Sequence, residues 1–282
     1  MMHTPSQFTV GATTISLFQI GALQVRLAEW LGLVEGDWPP IYQALFAAPI
    51  AVPVQCAHIA LPGRSLLVDP CHPELLAHSG ELVPGATPML SLLMQLAAAQ
   101  VDPLTVDTVV ITHPHFDHYC GIVAIGASAA EDRLLFPNAR HLLGQADWAA
   151  LQDDLKSPAS PTSRALGLAW RHGILELVGE QRELGDGLSL LPTPGETPGH
   201  LALRVESQGA TLYCVGDLFH HQVEVERPEW GVTWADAAAT ARSRAALLTA
   251  AQAEQALLIA AHIQGVGRLA RDGAGVHWGQ VE

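Results

Sequence analysis

The sequence predicts a layered α/β fold, and two observations support this class. Short apolar runs typical of buried strands recur along the chain and alternate with segments that have helical patterns. Hydrophobic residues make up 49% of the 282 residues and charged residues only 15%, which is enough apolar material for a large core. We expect a single domain over residues 1–282, because the candidate site described below draws on both halves of the chain.

The N-terminal part of the chain predicts mainly strands. Residues 8–20 are rich in β-branched and aromatic side chains and predict strands around a glycine turn. Residues 21–56 are mixed in composition and predict a long loop with a helical piece. Residues 57–69 predict a hairpin that turns at Pro62-Gly63, between two apolar runs.

Helices and strands then alternate towards the middle of the chain. A helix is predicted over residues 88–100, with Thr87 as its cap and Pro88 in its first position. The short apolar run VDTVVIT predicts a strand over residues 106–112. The next predicted elements are the start of a helix at 119–127, a strand at 139–144, and a short helix at 145–155.

The second half predicts further buried strands and one long helix. The polar, Pro-rich segment 156–163 predicts a surface loop rather than a linker between domains. An Ala- and Arg-rich segment at 236–253 predicts a helix. Short apolar runs predict strands at 187–192, 201–207, 211–217 and 256–261.

Charge and composition narrow the range of partners. Lys and Arg number 14 against 28 Asp and Glu, and a net charge of −14 argues against nucleic acid or an anionic membrane as the partner. Mean hydropathy is +0.23. Even so, the apolar stretch 90–99 is too short to span a bilayer, and 245–263 is interrupted by polar residues. The N-terminal residues show no secretory pattern and the four cysteines no CxxC spacing, so we expect a cytoplasmic protein with reduced cysteines.

The most informative segment directly follows the predicted strand 106–112. His113, His115, Asp117 and His118 place three imidazoles and one carboxylate within six positions. Imidazole nitrogens and carboxylate oxygens are the ligands that zinc and similar metals take in proteins. Strand ends in layered α/β folds deliver side chains into a crevice, so this cluster predicts a metal site at a sheet edge.

Three later strands also end at groups that can bind metals. His200 lies in a Pro- and Gly-rich loop after the strand at 187–192, and Asp217 ends the run at 211–217. His262 follows the last predicted buried strand. We therefore expect His200, Asp217 and His262 to converge on the first cluster.

This ordered set of residues resembles the signature of metallo-β-lactamase-fold hydrolases, in which HxHxDH is followed by a His, a Gly-Asp and a final His. The resemblance implies an αβ/βα four-layer sandwich, with two central mixed β-sheets, helices on the outer faces and the site on one edge. It also implies two divalent metal ions. The first would take His113, His115 and His200, the second Asp117, His118 and His262, and Asp217 would bridge them.

Within this superfamily, the C-terminal part is similar to the group of acyl-homoserine lactonases and methyl-parathion-type phosphotriesterases. The similar pieces are GDLFHH, RPEW, the helix around Arg242 and Arg244, and HIQGVGRL. The chain departs from that group at Glu196, where a histidine is frequent, and at Ile263-Gln264, where an aromatic residue usually follows the last ligand.

The resemblance and the ligand chemistry together predict a dinuclear metal-dependent hydrolase of a small molecule. A metal-bridging hydroxide would cleave a lactone, ester or phosphotriester bond, and Asp117 would orient it. The all-His first site favours Zn²⁺, and iron, manganese and cobalt are alternative metals. A homodimer is also compatible with the sequence. The alternatives are a glyoxalase II-like thioester hydrolase, for which a basic C-terminal region is missing, and a mononuclear iron persulfide dioxygenase. A nuclease and a non-catalytic relative are disfavoured by the charge and by the full ligand set.

Several neighbouring residues are candidates for supporting roles. Asp69, at a strand end, is expected to accept a hydrogen bond from a ligand histidine or simply to sit in a turn. His220 and His221 would contact substrate or the ligands, or lie at the surface. One or two aromatic residues are expected to line an apolar pocket, from among Trp30, Trp38, Phe219, Trp230 and Trp234.

Overall fold

The protein is built around two mixed β-sheets. The structure, a computed structural model, describes residues 6–72, 91–273 and 275–281, and within them each main sheet has seven strands. In spatial order the first sheet contains β1 (Ser6–Val10), β2 (Thr13–Val25), β3 (Ile50–Leu61), β4 (Arg64–Val68), β5 (Thr108–Val110), β8 (Arg140–Gly144) and β9 (Leu175–Val178). The second contains β10 (Arg182–Gly185), β11 (Leu188–Pro192), β12 (Leu201–Ser207), β13 (Ala210–Cys214), β14 (Leu257–Ala260), β15 (Ile263–Asp272) and β16 (Gly275–Val281). A small ribbon pairs β6 (Val123–Ala124) with β7 (Arg133–Leu134).

Helices cover the outer faces and fill the loops at one edge. They are α1 (Leu27–Trp30), α2 (Gln43–Phe46), α3 (Leu92–Ala98), α4 (Phe116–Tyr119), α5 (Gln145–Ala150), α6 (Pro161–Arg171), α7 (Val223–Glu226) and α8 (Ala237–Ala253). The three longest begin at residues whose side chains accept a backbone N–H of the first turn, namely Ser91, Ser160 and Asp236. Within the described residues, none of these helices is both long and apolar enough to span a lipid bilayer.

Three apolar layers hold the four structural layers together. One cluster lies between the sheets and joins residues such as Ile59 and Val110 to Leu203 and Leu212. A second packs the outer face of the first sheet against α3 and α6, and a third packs the second sheet against α8. The order helix, sheet, sheet, helix is the predicted αβ/βα four-layer sandwich, so the predicted fold class is confirmed.

The strand directions bring several chain segments to one edge of the sandwich. In the first sheet β4, β5, β8 and β9 run parallel, and in the second β13 runs parallel to β14. The loops that follow β4, β5, β13 and β14 therefore open at the ends of two facing sheets, where they lie next to one another.

The prediction of a long loop with a helical piece over residues 21–56 holds for the middle of the segment and is wrong at both ends, which are strand. β2 continues to Val25, and β3 begins at Ile50, so that the two strands pair antiparallel over almost their whole length. Residues 52–59 of β3 are all buried, since the strand is covered on both faces, and a strand of this kind lacks the alternation that identifies a half-exposed strand. The helical piece exists as α1 and α2.

Two helix predictions also need correction. The segment 119–127 does not begin a helix: α4 ends at Tyr119, and a 3₁₀ turn over Cys120–Ile122 leads into β6. The chain turns there because Gly121 donates its N–H to the Pro70 carbonyl at 2.9 Å, an approach that a Cβ atom would block. The helix predicted over 88–100 is observed as α3, but its cap is Ser91, and the Thr87 and Pro88 prediction lies outside the described residues.

The segment 156–163, predicted to be a surface loop, contains the start of a helix at its end. Ser160 caps α6, and Pro161 occupies its first position, a combination typical of helix N-termini. The strands β15 and β16 were not predicted either. The strands at 139–144, 187–192, 201–207 and 211–217 are confirmed, with boundaries shifted by up to three residues. The predicted hairpin at 57–69 is also confirmed, but its first strand begins seven residues earlier, at Ile50.

Candidate metal centre

The candidate residues lie at the edge where the loops of both sheets meet. Asp69 follows β4, and His113, His115, Asp117 and His118 follow β5 and enter α4. From the second sheet, His200 precedes β12, Asp217 follows β13 and His262 follows β14. The structure thus brings together eight side chains from five separate segments of the chain.

One group of ligand atoms gathers on the side of the first two histidines. His113 Nε2 lies 2.8 Å from His115 Nδ1, and 3.6 Å from Asp217 Oδ2. Glu196 Oε1 joins them, 3.3 Å from His115 Nδ1. The His115 side chain is 41% exposed whereas His113 and Asp217 are buried, so solvent or a ligand reaches the group from the His115 side. These four residues offer donor atoms close enough to share one cation.

A second group forms on the other side of Asp217. His262 Nε2 lies 3.3 Å from Asp117 Oδ2, and His118 Nε2 lies 3.5 Å from the same oxygen. Both nitrogens are also 3.3 Å from Asp217 Oδ2. This oxygen therefore stands between the two groups and is in reach of both.

His200 lies beside the first group, with a different orientation. Its ring centroid is 5.2 Å from that of His113, and its Nε2 accepts a hydrogen bond from the Asp217 backbone N–H at 3.2 Å. Within the described part of the chain, its nitrogen is not among the four most tightly gathered donors of the first group. The Nδ1 of His200 lies 2.8 Å from Thr193 Oγ1, which fixes the ring.

Asp69 supports two of the histidines through one carboxylate. Its Oδ1 accepts the Thr112 backbone N–H, and its Oδ2 accepts the Thr112 hydroxyl, both at 2.8 Å. Oδ2 also lies 3.0 Å from His118 Nδ1, while Thr112 Oγ1 lies 3.2 Å from His113 Nδ1. In these two rings the nitrogen remote from the centre is bonded to protein, which leaves the Nε2 atoms facing the other candidate ligands.

His262 is held in the same way by a backbone group. Its Nδ1 donates to the Pro53 carbonyl of β3 at 2.8 Å, so its Nε2 is directed at Asp117 and Asp217. Together with Thr193 beside His200, this arrangement sets the ring orientation of each buried candidate histidine through an oxygen on its outer side.

The buried charged groups strongly shift one another's pKa values. Burial alone would lower the pKa of His262, but the carboxylates of Asp217 and Asp117 raise it to about 10. In the same way, and again against burial, Asp217, Asp117 and Asp69 raise the pKa of His118 well above 6.5. Desolvation would raise the pKa of Asp117, but His118 and His262 lower it to about 2.

The other two buried histidines are held neutral. Burial lowers the pKa of His200 to about 4, and that of His113 well below its ordinary value. The site therefore combines neutral imidazoles with a concentration of carboxylate charge that protons on His118 and His262 balance when no cation is bound. Divalent cations would replace those protons, as metal binding to histidine generally does.

Two observations test whether these residues fit metal ions. Among the described residues, His118 Nε2 and Asp217 Oδ1 are buried atoms without a hydrogen-bond partner, a costly condition in a protein interior. In addition, two donors held about 2.1 Å from one tetrahedral cation lie about 3.4 Å apart, which matches the 3.3 Å separations around Asp217 Oδ2. The donor set and its geometry fit a pair of divalent cations.

His220 borders the site, whereas His221 is engaged within its own loop. His220 Nε2 lies 3.5 Å from Asp217 Oδ2, and the ring stacks parallel to His262 at 5.9 Å between centroids. Neither ring nitrogen of His220 has a hydrogen-bond partner among the described residues. The His221 ring accepts the Val223 backbone N–H at 3.1 Å and helps to shape the start of α7.

A buried ion pair supports the loop that carries His220. Glu224 accepts the backbone N–H groups of His220 at 2.5 Å and of His221 at 2.9 Å. Its other oxygen accepts from Arg244 Nη2 at 2.5 Å, and Arg244 also donates to the carbonyls of Leu218 and Trp230. The loop after Asp217 is thereby anchored to α8.

Two of the five predicted aromatic residues border the site. The Trp30 ring makes edge contacts with His220, at 5.7 Å between centroids, and with Trp234, at 5.5 Å. Trp234 is 46% exposed, and Trp30 is partly buried. In contrast, Phe219 and Trp230 are buried in apolar clusters, and Trp38 packs against Phe46.

Sequence reasoning missed three polar residues around the centre. Glu196 was identified from the sequence only as a difference from the lactonase and phosphotriesterase group, although this residue lies four positions before His200. Thr193 precedes it in the same loop, and Glu224 follows His220 by one helical turn. The signal that could have found the two glutamates is their spacing from a candidate site histidine, since a carboxylate four residues away can reach the same centre.

The four-layer αβ/βα sandwich, with His and Asp side chains gathered at one sheet edge, defines the class of metallo-β-lactamase-fold proteins. The family model of the metallo-beta-lactamase superfamily matches residues 51–262, and the chain belongs to this superfamily. The prediction of a hydrolase from this superfamily is thereby confirmed.

Solved structures show the same fold at low sequence identity. Hydrolase AbOPH of the beta-lactamase superfamily is 18% identical with a TM-score of 0.80, over 100% of this chain and 99% of that one. AidC, a dizinc quorum-quenching lactonase in complex with a homoserine product, is 17% identical with a TM-score of 0.77, over 100% and 99%. A probable metal-dependent hydrolase from Staphylococcus aureus is 20% identical with a TM-score of 0.77, over 98% and 99%. A comparison with curated proteins gave no match.

Proposed function

We propose that this chain is a dinuclear metal-dependent hydrolase that cleaves a lactone, ester or phosphotriester bond of a small molecule. The observation that carries the proposal is the position of Asp217 Oδ2, 3.3 Å from His118 Nε2 and His262 Nε2 and 3.6 Å from His113 Nε2. One buried carboxylate oxygen thus faces histidines from both groups of candidate ligands, as a residue that bridges two cations must do.

In the proposed ligand set the first cation is held by His113, His115 and His200, the second by Asp117, His118 and His262, and Asp217 belongs to both. Five neutral imidazoles and two carboxylates leave a surplus of positive charge when two divalent ions are present. Such ions, Zn²⁺ in our proposal, would supply Lewis acidity and would lower the pKa of a bound water to about 7. That chemistry suits substrates with an electron-rich carbonyl or phosphoryl oxygen.

The protein's own residues orient the reacting groups. Asp117 is 16% exposed, and its Oδ2 faces both His118 and His262, so it can accept a hydrogen bond from the attacking water and orient it. The exposed side of His115 and Asp117 is the side from which substrate arrives. The rings of Trp30 and Trp234 provide an apolar wall next to this opening, which favours a substrate with an apolar portion.

Solved structures with the same fold support the proposed substrate class. AidC is a dizinc lactonase seen with its product N-hexanoyl-L-homoserine, and other solved structures of this fold are N-acyl homoserine lactone hydrolases. The net charge of −14 agrees with a small uncharged substrate. It argues against a nucleic acid, because nucleic acids bind to positively charged surfaces.

The location and domain organisation are part of the same proposal. Cys71 Sγ and Cys120 Sγ lie 3.4 Å apart without a disulfide bond, and all four cysteines are buried free thiols. Such a pair is expected to stay reduced in a cytoplasmic environment. We propose a single domain over residues 1–282, because an apolar layer joins the sheets of both halves.

The test combines metal analysis of the purified protein with a hydrolysis screen over lactones, aryl esters, phosphotriesters, thioesters and β-lactams. We expect two divalent ions per chain and activity on at least one of the first three classes. His115→Ala is expected to lose at least one ion and most of the activity, whereas His172→Ala, at an exposed helix end, serves as the control. Activity that persists in protein stripped of metal would contradict the proposal.

A further inference from the structure

Glu196 is a buried carboxylate at the centre that the proposed mechanism does not use. Its side chain is only 2% exposed, and its carboxylate lies inside the centre rather than at the rim. Oε1 is 3.3 Å from His115 Nδ1 and 3.7 Å from His220 Nε2, and it accepts a hydrogen bond from Trp234 Nε1 at 2.5 Å.

This carboxylate is buried without an ordinary counter-charge. Within residues 6–72, 91–273 and 275–281, no lysine or arginine nitrogen lies within 4 Å of it, and its ion-pair partners are the two histidines. Burying a carboxylate is costly unless a cation compensates it, and one hydrogen bond from an indole N–H is a small compensation. The neighbouring carboxylate of Asp217 adds to the negative potential.

Hydrogen bonds hold the loop that carries Glu196 on both sides, and they fix the position of its side chain. On one side the Gly195 carbonyl accepts the Asp236 N–H at 2.9 Å, and Ser243 Oγ donates to the Pro194 carbonyl at 2.6 Å. On the other side Asp147 accepts the Thr197 hydroxyl at 2.8 Å and the Gly199 N–H at 2.7 Å. Rigid support of this kind is typical of residues that bind a ligand.

Glu196 Oε1 also fits the spacing of ligands on one cation. Its 3.3 Å distance from His115 Nδ1 lies within the range of about 3.0–3.6 Å expected for two neighbouring donors held roughly 2.1 Å from one ion. Together with His113 and Asp217, these atoms form the tightest group of possible ligands on this side of the centre. Among the described residues, the buried Asp217 Oδ1 has no hydrogen-bond partner, which is a further sign that a cation belongs at this centre.

We infer that Glu196 is an eighth metal ligand, which binds the cation on the His113 and His115 side in addition to the seven residues named above. The inference rests on the proposed dinuclear function and changes its chemistry. A third carboxylate halves the surplus charge of a two-cation centre, from two to one, and its hard oxygen favours Mn²⁺ or Fe²⁺ more than an all-imidazole site does.

The test measures metal binding directly, with Co²⁺ as the probe. Apo protein is titrated with Co²⁺, and the dissociation constants, the bound metal per chain and the d–d absorption are recorded for wild type and Glu196→Gln. We expect one of the two dissociation constants to rise at least tenfold, and the d–d absorption to gain intensity as the coordination number falls. Glu183→Gln, the same change at an exposed position, is the matched control and should leave all three readouts unchanged.

Trp234→Phe separates metal binding from a purely structural role. This variant keeps an aromatic ring but removes the N–H that donates to Glu196, so both ions and the Co²⁺ spectrum should be retained. If Trp234→Phe reproduces the loss seen in Glu196→Gln, or if Glu196→Gln binds both ions within twofold of wild type, the inference is overturned. Should Glu196→Gln not fold, Glu196→Asp, with its carboxylate withdrawn by one methylene, carries the same tenfold expectation.

The two proposals fail in different ways. Wild type that binds two ions, with Glu196→Gln unaffected, overturns the role of Glu196 and leaves the dinuclear hydrolase intact. Wild type that binds no metal overturns both.

Discussion

Replacing Arg244 with methionine should destabilise the protein by about 3–5 kcal/mol, because it leaves a buried carboxylate without its cation. Arg244 is 1% exposed and Glu224 fully buried, and they meet at 2.5 Å. Methionine retains much of the apolar stem, so the loss is mainly that of the guanidinium. The carbonyls of Leu218 and Trp230 also lose their donor, which adds roughly 1 kcal/mol each if water does not replace it.

The assay is denaturant unfolding followed by circular dichroism at one fixed Zn²⁺ concentration, with linear extrapolation to water. Arg242→Met is the control, since Arg242 is exposed on the same helix and its loss should change the unfolding free energy by less than about 0.5 kcal/mol. Adding Glu224→Gln to Arg244→Met removes the orphaned charge but keeps an oxygen for the N–H groups of His220 and His221.

The double variant should therefore be more stable than Arg244→Met alone by about 1–3 kcal/mol, the range of coupling between residues in one network. A cost below 1 kcal/mol for Arg244→Met would refute this account. So would a double variant whose loss equals the sum of the two single losses, because that would mean that the charges do not interact.

Three further predictions concern the centre and its surroundings. Gly216→Ala should cost more stability and metal than Gly63→Ala: both glycines have positive φ, but a Cβ at 216 would lie 2.8 Å from His200 Nε2, whereas nothing lies within 4 Å at 63. Equal thermal shifts and metal contents would contradict this. Asp69→Asn should weaken Zn²⁺ binding about 10- to 100-fold in chelator competition, since it removes the carboxylate that orients His118; unchanged affinity would refute it. Burial lowers the pKa of His141 from 6.5 to about 4, so its neutral form stabilises the fold above pH 6.5, and this contribution is lost as the pH falls towards 4. The stability advantage of wild type over His141→Gln should shrink by up to about 1.4 kcal/mol per pH unit in that range, and a pH-independent difference would refute it.

Local patterns in the sequence predicted four of the seven strands of the second sheet, β11 to β14, and the four candidate ligands in the segment from His113 to His118. The strands at 187–192, 201–207 and 211–217 are short, apolar and bounded by turn residues, so their structure follows from nearby residues. Their bounding Gly, Pro and Asp residues give the loops their turns. The same kind of signal is absent from the first half of β3, where burial on both faces removes the alternation, so local patterns do not predict a strand at residues 50–56.

The sequence by itself determined which chemical groups could bind metal and in what order they follow buried strands. It did so because ligand identity and strand hydrophobicity are properties of a few adjacent residues. Only the tertiary structure decided which groups share a centre. The approach of Glu196 to His115, and the pairing of Glu224 with Arg244, join residues that lie far apart along the chain. Such distances depend on how two sheets pack, and packing is set by the sum of many weak apolar contacts that no short segment encodes.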